Sequence, residues 1–280
     1  MSSPLSNDAT SSILVTPEWL QARLGDPALR VIDVRPAESF AKGHIVGAAN
    51  IDLYGMTWHD TSPTGLRDFQ QTMEAALSGA GVTHEHTVVF YQGNSGMVAA
   101  RGFWMLEYFG HSSPRILDGG LKAWSAAGFG LTHVMDPPAP STFKARLTPL
   151  RLATYEYVRA HLHDPNVVLF DVRAPEEYYG EHVRAARGGV IPGAVNCEWT
   201  QALAEDGRFK DPAELWPLYE GLGISAAKEI IPYCQGGFRS SHAYVALRLL
   251  GYGRLRNYMG SWKEWGDRLE LPIETPQRPR

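Results

Sequence analysis

The chain carries one plan twice: Val31-Ile-Asp-Val-Arg-Pro-Ala-Glu-Ser-Phe40 returns as Leu169-Phe-Asp-Val-Arg-Ala-Pro-Glu-Glu-Tyr178. The correspondence continues, with Gly47-Ala-Ala-Asn50 answered by Gly193-Ala-Val-Asn196 and Val88-Val-Phe-Tyr-Gln92 by Ile230-Ile-Pro-Tyr-Cys234. Residues 119–124 likewise match 260–265. A duplication of this extent predicts two similar units, each burying its own strands. At 280 residues the chain is long enough for both, since a domain with a full core takes about 100–150 residues. Within each copy, short apolar strands alternate with amphipathic helices, expected over 99–109 and 241–250. That order predicts an α/β fold, each domain a mainly parallel sheet flanked by helices. Prolines cluster in His133-Val-Met-Asp-Pro-Pro-Ala-Pro-Ser-Thr142, where neither helix nor sheet interior can continue. The expected organisation is a first domain over 13–132, a linker over 133–149 and a second domain over 150–280. Residues 1–12 read as a short disordered lead without signal or transit character.

Comparing the copies locates the chemistry. Cys234 stands where an apolar strand gives way to Gln235-Gly-Gly-Phe-Arg239-Ser240 and then to the helical pattern Ala243, Leu247, Leu250. A Gly-rich turn opening a helix aims backbone N–H groups at one point and adds the helix's positive end, so an anion there is stabilised. A thiol whose pKa fell from about 8.5 to about 6.5 in that field would go from roughly 3% to roughly 75% thiolate at pH 7. Arg239 adds a positive charge. The first copy has Gln92 at the cysteine's position, and glutamine is no comparable nucleophile, so one site per chain is expected, in the second copy. Pro232 lacks an N–H and belongs near a strand end or a break in pairing.

These residues resemble the tandem-domain sulfurtransferases, the rhodanese (thiosulfate sulfurtransferase) and 3-mercaptopyruvate sulfurtransferase family. The resemblance spans nearly the whole chain. It rests on the duplicated Asp-Val-Arg strand ends, Gly43-His-Ile-Val-Gly-Ala-Ala-Asn50, Gly189-Val-Ile-Pro-Gly-Ala-Val-Asn196 and the cysteine loop. It implies two rhodanese-like domains, the first inactive, and a Cys234 persulfide as sulfur carrier. It implies no metal and no organic cofactor. The expected donor is a small sulfur-bearing anion, and the acceptor cyanide, a thiol or a sulfur-accepting protein. The loop Cys234-Gln-Gly-Gly-Phe-Arg239 matches neither the Cys-Arg-Lys-Gly-Val-Thr typical of rhodaneses nor the Cys-Gly-Ser-Gly-Val-Thr of mercaptopyruvate enzymes. Its terminal arginine favours thiosulfate, with 3-mercaptopyruvate the alternative. Val190 and Met259 replace a histidine and an aspartate common in active copies. The expected binding residues are Gln235, Gly236, Gly237, Phe238, Arg239 and Ser240, with Arg184 and Arg187 as cations for the donor, because guanidinium forks suit sulfonate or carboxylate.

Other residues receive structural expectations. Asp171 and Arg173 recur as Asp33 and Arg35, which predicts a shared buried ion pair. His242, inside the predicted helix, is expected to pack. Trp199, Trp262 and Trp265 either wall the pocket or build core, and Cys197 reads as a buried small residue rather than a resolving thiol. Two cysteines support neither a disulfide framework nor a zinc cluster, so the expected setting is cytoplasmic. A net charge of −4, with no basic tail and no long apolar run, predicts neither a nucleic-acid nor a membrane partner. A cysteine phosphatase is the nearest rival, but it places five residues between Cys and Arg, and this loop has four. A non-catalytic scaffold is the other alternative.

Overall fold

The structure, a computed structural model, describes residues 13–278; the lead expected at 1–12 lies outside them. The first domain is a parallel sheet of β1 (Leu14–Val15), β2 (Leu29–Asp33), β3 (Ala48–Asn50), β4 (Thr87–Tyr91) and β5 (Pro114–Leu117), in the spatial order β1-β5-β4-β2-β3. The central strands β2 and β4 are buried almost throughout, as a parallel sheet covered on both faces requires. The second domain repeats the order. Strands β7 (Val167–Asp171), β8 (Val195–Asn196) and β9 (Glu229–Tyr233) form one parallel sheet. Alongside β9, β6 (Leu152–Ala153) and β10 (Asn257–Tyr258) form a parallel pair, joined to it by a bridge between Ile230 and Leu255.

Pro232 explains why the second sheet divides there. Ile230 donates to Arg254 O and accepts from Arg256 N on the β10 side of β9. Alternation along the strand puts residue 232 on that same side, and without an N–H it cannot extend the ladder.

The duplicated Asp-Val-Arg segments behave identically. Arg35 pairs with Asp33 at 2.6 Å and also donates to Gly43 O, while Arg173 pairs with Asp171 at 2.6 Å and donates to Gly189 O. Asn50 and Asn196 each donate to the backbone oxygens of the corresponding Asp and Arg. The motif therefore ties each central strand to the loop beside it.

Helices begin two or three residues before their expected starts, at Met97–Tyr108 and Phe238–Leu249, because the Gly turns themselves supply N-caps. These two helices pack on each other across the domain boundary, burying nearly every residue of both. Glu107 of the first helix accepts from Tyr244 Oη at 2.5 Å and from Arg248 Nη2 at 3.0 Å on the second. His242 is wholly buried in this seam, its Nε2 3.0 Å from Ser95 O and its ring stacked on Phe209. Burial holds it neutral, its pKa pushed down to about 3. The Pro-rich segment runs along the first domain, with Phe143 buried and hydrogen-bonded to Ser78.

Removing Glu107 leaves a tyrosine hydroxyl and an arginine facing each other without their acceptor. Glu107→Ala is expected to lower the free energy of unfolding by about 2 kcal/mol, read as a reduced denaturant midpoint.

Candidate active site

Strand β9 ends at Tyr233, and the next residue, Cys234, lies at the floor of a cleft of about 510 Å³ between the domains. The thiol is buried, with 1% of the residue exposed. The turn that follows is built by Gly237, whose φ of +84° is open to glycine and strained for other residues. A Cβ there would also lie 2.6 Å from Met259 O. Gly237 N donates to Sγ at 3.2 Å, and Gly237 caps the helix Phe238–Leu249, so the sulfur sits at that helix's positive end. Burial alone would push the thiol up. The charge of Arg239 and the hydrogen bonds offered by Ser240 and Gly236 outweigh it, and the pKa lies below the ordinary 9.0.

A second support comes from Ser261, the one non-glycine residue with positive φ among those described, at +54°. Its Oγ accepts from Cys234 N at 3.1 Å, donates to Tyr258 O at 2.8 Å and stands 3.9 Å from Sγ. The matching residue of the first domain is Gly120, with φ +53°. A left-handed serine costs on the order of 1 kcal/mol, and here it holds the Cys234 backbone.

The first domain's cup is filled by its own side chain. Gln92 Oε1 accepts from Val98 N at 2.8 Å and Ala99 N at 3.0 Å, occupying the helix N-terminus with a neutral amide. No such plug exists at Cys234.

The arginines separate into three roles. Arg239 is bonded through both terminal nitrogens to Glu177, at 2.5 and 2.9 Å. Glu177, although buried, is held below the usual carboxylate range by that guanidinium and by Arg173 and Arg184. Arg184 lines the cleft, half exposed, 3.5 Å from Glu177. Arg187 departs from expectation and does not line the cleft. Its guanidinium donates to the backbone oxygens of Trp265, Gly266, Arg268 and Leu271, closing the C-terminal end of the helix Ser261–Asp267. Those otherwise orphaned carbonyls, together with the helix dipole, draw it away from solvent.

Gln235, Gly236, Phe238 and Arg239 line the cleft, whereas Gly237 and Ser240 act from beneath the sulfur. Gln235 is committed through Nε2 to Arg184 O. Trp199 lines the cleft, while Trp262 and Trp265 are buried core. Cys197, half buried, has its thiol pushed up by burial, and Val190 and Met259 are fully buried apolar residues.

Sequence reasoning did not find the cleft's opposite wall. Tyr54, Thr57 and His59 of the first domain line it, as do Met97 and Lys263. The segment carrying them is pinned by Thr61, whose N–H and hydroxyl both bond Glu264 of the second domain at 2.7 Å. No repeat pattern announces those residues. The signal for Glu177 and Ser261 was present, since the first copy has Ser39 and Gly120 in their places.

The duplicated scaffold is that of a known family. The Rhodanese-like domain family matches residues 16–127 and again 154–268. The chain belongs to the rhodanese family. It is 35% identical over 262 residues to the thiosulfate sulfurtransferase of Pseudomonas aeruginosa, covering 94% of this chain and 97% of that protein. It is 36% identical over 281 residues to the sulfur carrier protein TtuD of Thermus thermophilus, covering 95% and 97%. Among solved structures it resembles an anaerobic ergothioneine biosynthesis enzyme from Chlorobium limicola in complex with trimethyl histidine, with a TM-score of 0.84 and 25% identity. That match covers 98% of this chain and 73% of the other.

In this rhodanese-family chain, Ser261→Gly relieves the strained φ while losing two buried hydrogen bonds, to Cys234 N and Tyr258 O, so stability is expected to fall by about 1 kcal/mol net. Iodoacetamide alkylation of Cys234 is expected to slow about fivefold, the worth of roughly 1 kcal/mol in positioning. Alkylation followed against pH should give Cys234 a midpoint below 9.0 and Cys197 one above it. Because the Cys234 value is depressed, its contribution to stability is present above the unfolded value and lost as pH falls through the folded one.

Proposed function

We propose that this chain is a sulfurtransferase that takes sulfane sulfur from thiosulfate and carries it as a persulfide on Cys234 to cyanide or a thiol. The observation that carries the reading is the buried Cys234 sulfur, held by N–H groups at a helix N-terminus and facing a cleft with cationic Arg184 and Lys263 on its walls. The thiolate attacks the outer sulfur of thiosulfate. The Sγ–S bond forms, the donor's S–S bond breaks, and sulfite leaves with the electron pair. The persulfide anion inherits the negative charge, and the donors that stabilised the thiolate serve it in turn. Cyanide or an acceptor thiolate then attacks the terminal sulfur, the Sγ–S bond breaks, and the thiolate returns. The cup takes the part of a general base for the nucleophile, because it favours the ionised form.

The names of the Pseudomonas and Thermus relatives support the donor and the role of sulfur carrier. A solved EanB structure with a cysteine persulfide, 25% identical at TM-score 0.83, supports the intermediate. Against phosphatase chemistry stands Arg239, whose fork is turned to Glu177 rather than offered to a ligand. Two free cysteines, one of them required as a thiolate, suit a reducing compartment such as the cytoplasm. Among the described residues no helix is long and apolar enough to cross a membrane.

Incubation with thiosulfate is expected to add one sulfur atom to the intact mass of the wild type, removable by reductant and absent from Cys234→Ser. Phosphatase activity without sulfur gain would overturn the reading. Arg184→Ala is expected to raise the donor KM about tenfold, the loss of one charge-assisted contact, with kcat nearly retained. Arg187→Ala should leave KM unchanged and lower the melting temperature, because it strips four carbonyls of their donor.

A further inference from the structure

Arg101 belongs to the first domain, on the helix Met97–Tyr108, yet its side chain ends beneath the second domain's cysteine turn. Only 2% of the residue is exposed. The guanidinium carbon lies 4.3 Å from the centre of the Phe238 ring, and Nη1 is 3.4 Å from Gly236 O. Nη2 is buried with no hydrogen-bond partner. Among the described residues it makes no ion pair with a carboxylate. A buried, unpaired cation costs several kcal/mol in this setting, so it requires an anion that the protein holds by other means.

The cysteine supplies that anion. Burial pushes the Arg101 guanidinium down to about 10, still charged at neutral pH, and the neighbouring Cys234 thiolate pulls it back up. The repeat sharpens the point. At the position equivalent to Arg101, four residues into its helix, the second domain has His242, which reaches Ser95 O in the first domain's turn and is held neutral by burial, and the first domain's cup holds the neutral Gln92 amide. A buried cation is thus placed against the cup that holds an anion and omitted from the other copy. We propose that Arg101 is a positioning residue supplied by the first domain, a buried counter-charge that keeps Cys234 and its persulfide anionic and steadies the Gly236 turn.

This inference rests on the sulfur-transfer reading for its purpose, but thiol reactivity tests it separately. The groups acting on the sulfur's surroundings are Arg239 with Glu177, Arg184, Lys263 with Asp267, and His59, which burial and the charges of Arg101 and Lys263 push below its usual value. None of these residues is substituted in the experiment; His59 alone feels the Arg101 charge directly, and its value rises when that charge is removed.

The full chain as wild type, Arg101→Lys and Arg101→Met would be alkylated with iodoacetamide across pH 5 to 9, with circular dichroism confirming the fold and thiosulfate loading followed by intact mass. Arg101→Met is expected to raise the midpoint of Cys234 alkylation and slow the reaction at pH 6 about tenfold, with thiosulfate loading slowed in parallel, as the loss of one nearby charge predicts. Arg101→Lys, which keeps the charge, should recover most of the rate. Should the methionine variant not fold, Arg101→Gln takes its place with the same expectation. An unchanged midpoint in the neutral variant, or equal losses in Lys and Met, would overturn the counter-charge. A wild type that gains no sulfur, with the alkylation shift still present, would overturn the sulfur-transfer reading and uphold the counter-charge.

Discussion

A thiol kept out of water and yet biased toward its anion is the constraint on which this structure turns. An ion in a low-dielectric interior is tolerated only when fixed donors and charges replace the water it has lost. Cys234 meets that condition with the Gly237 N–H, the positive end of a twelve-residue helix, and Arg239 held in place by Glu177. Much of the second domain can be traced from there. Gly237 must be glycine to make the turn, Ser261 accepts backbone strain to hold the cysteine's N–H, and Glu177 is buried because Arg239 needs an anchor.

The two domains show how one scaffold supports opposite outcomes. Both carry the Asp-Arg-Asn clasp at the end of the central strand, and both direct N–H groups from the last helix onto the turn: Leu121 to Gln92 O in the first, Trp262 to Cys234 O in the second. Reactivity depends on what occupies the helix N-terminus. In the first domain an uncharged amide oxygen satisfies N–H groups of the helix's first turn. In the second they are left to the sulfur, and the cleft opens above it.

The first domain is more than a wall. Its segment around His59 closes one side of the cleft, Thr61 locks that segment to Glu264, and Arg101 reaches under the cysteine turn. The seam of Glu107, Tyr244, Arg248 and His242 holds these groups in register with the second domain. The tandem arrangement therefore shapes this site, since a third of the residues lining the cleft come from the first domain.

The sequence by itself determined the two-domain α/β plan, the strand-to-helix setting of Cys234 and the structural role of Asp171 and Arg173, because duplication and local backbone patterns are written in consecutive residues. Pro232 and Gly237 also announced their positions through their own backbone limits. Only the tertiary structure decided which cations serve the site. Arg184 and Arg187 are three residues apart in one loop, yet one faces the cleft and the other closes a helix end, a choice set by carbonyls about eighty residues away in sequence. Arg101, His59 and Glu264 were equally illegible, because their meaning lies in packing across the domain seam, and long-range electrostatics leaves no periodic trace in a chain.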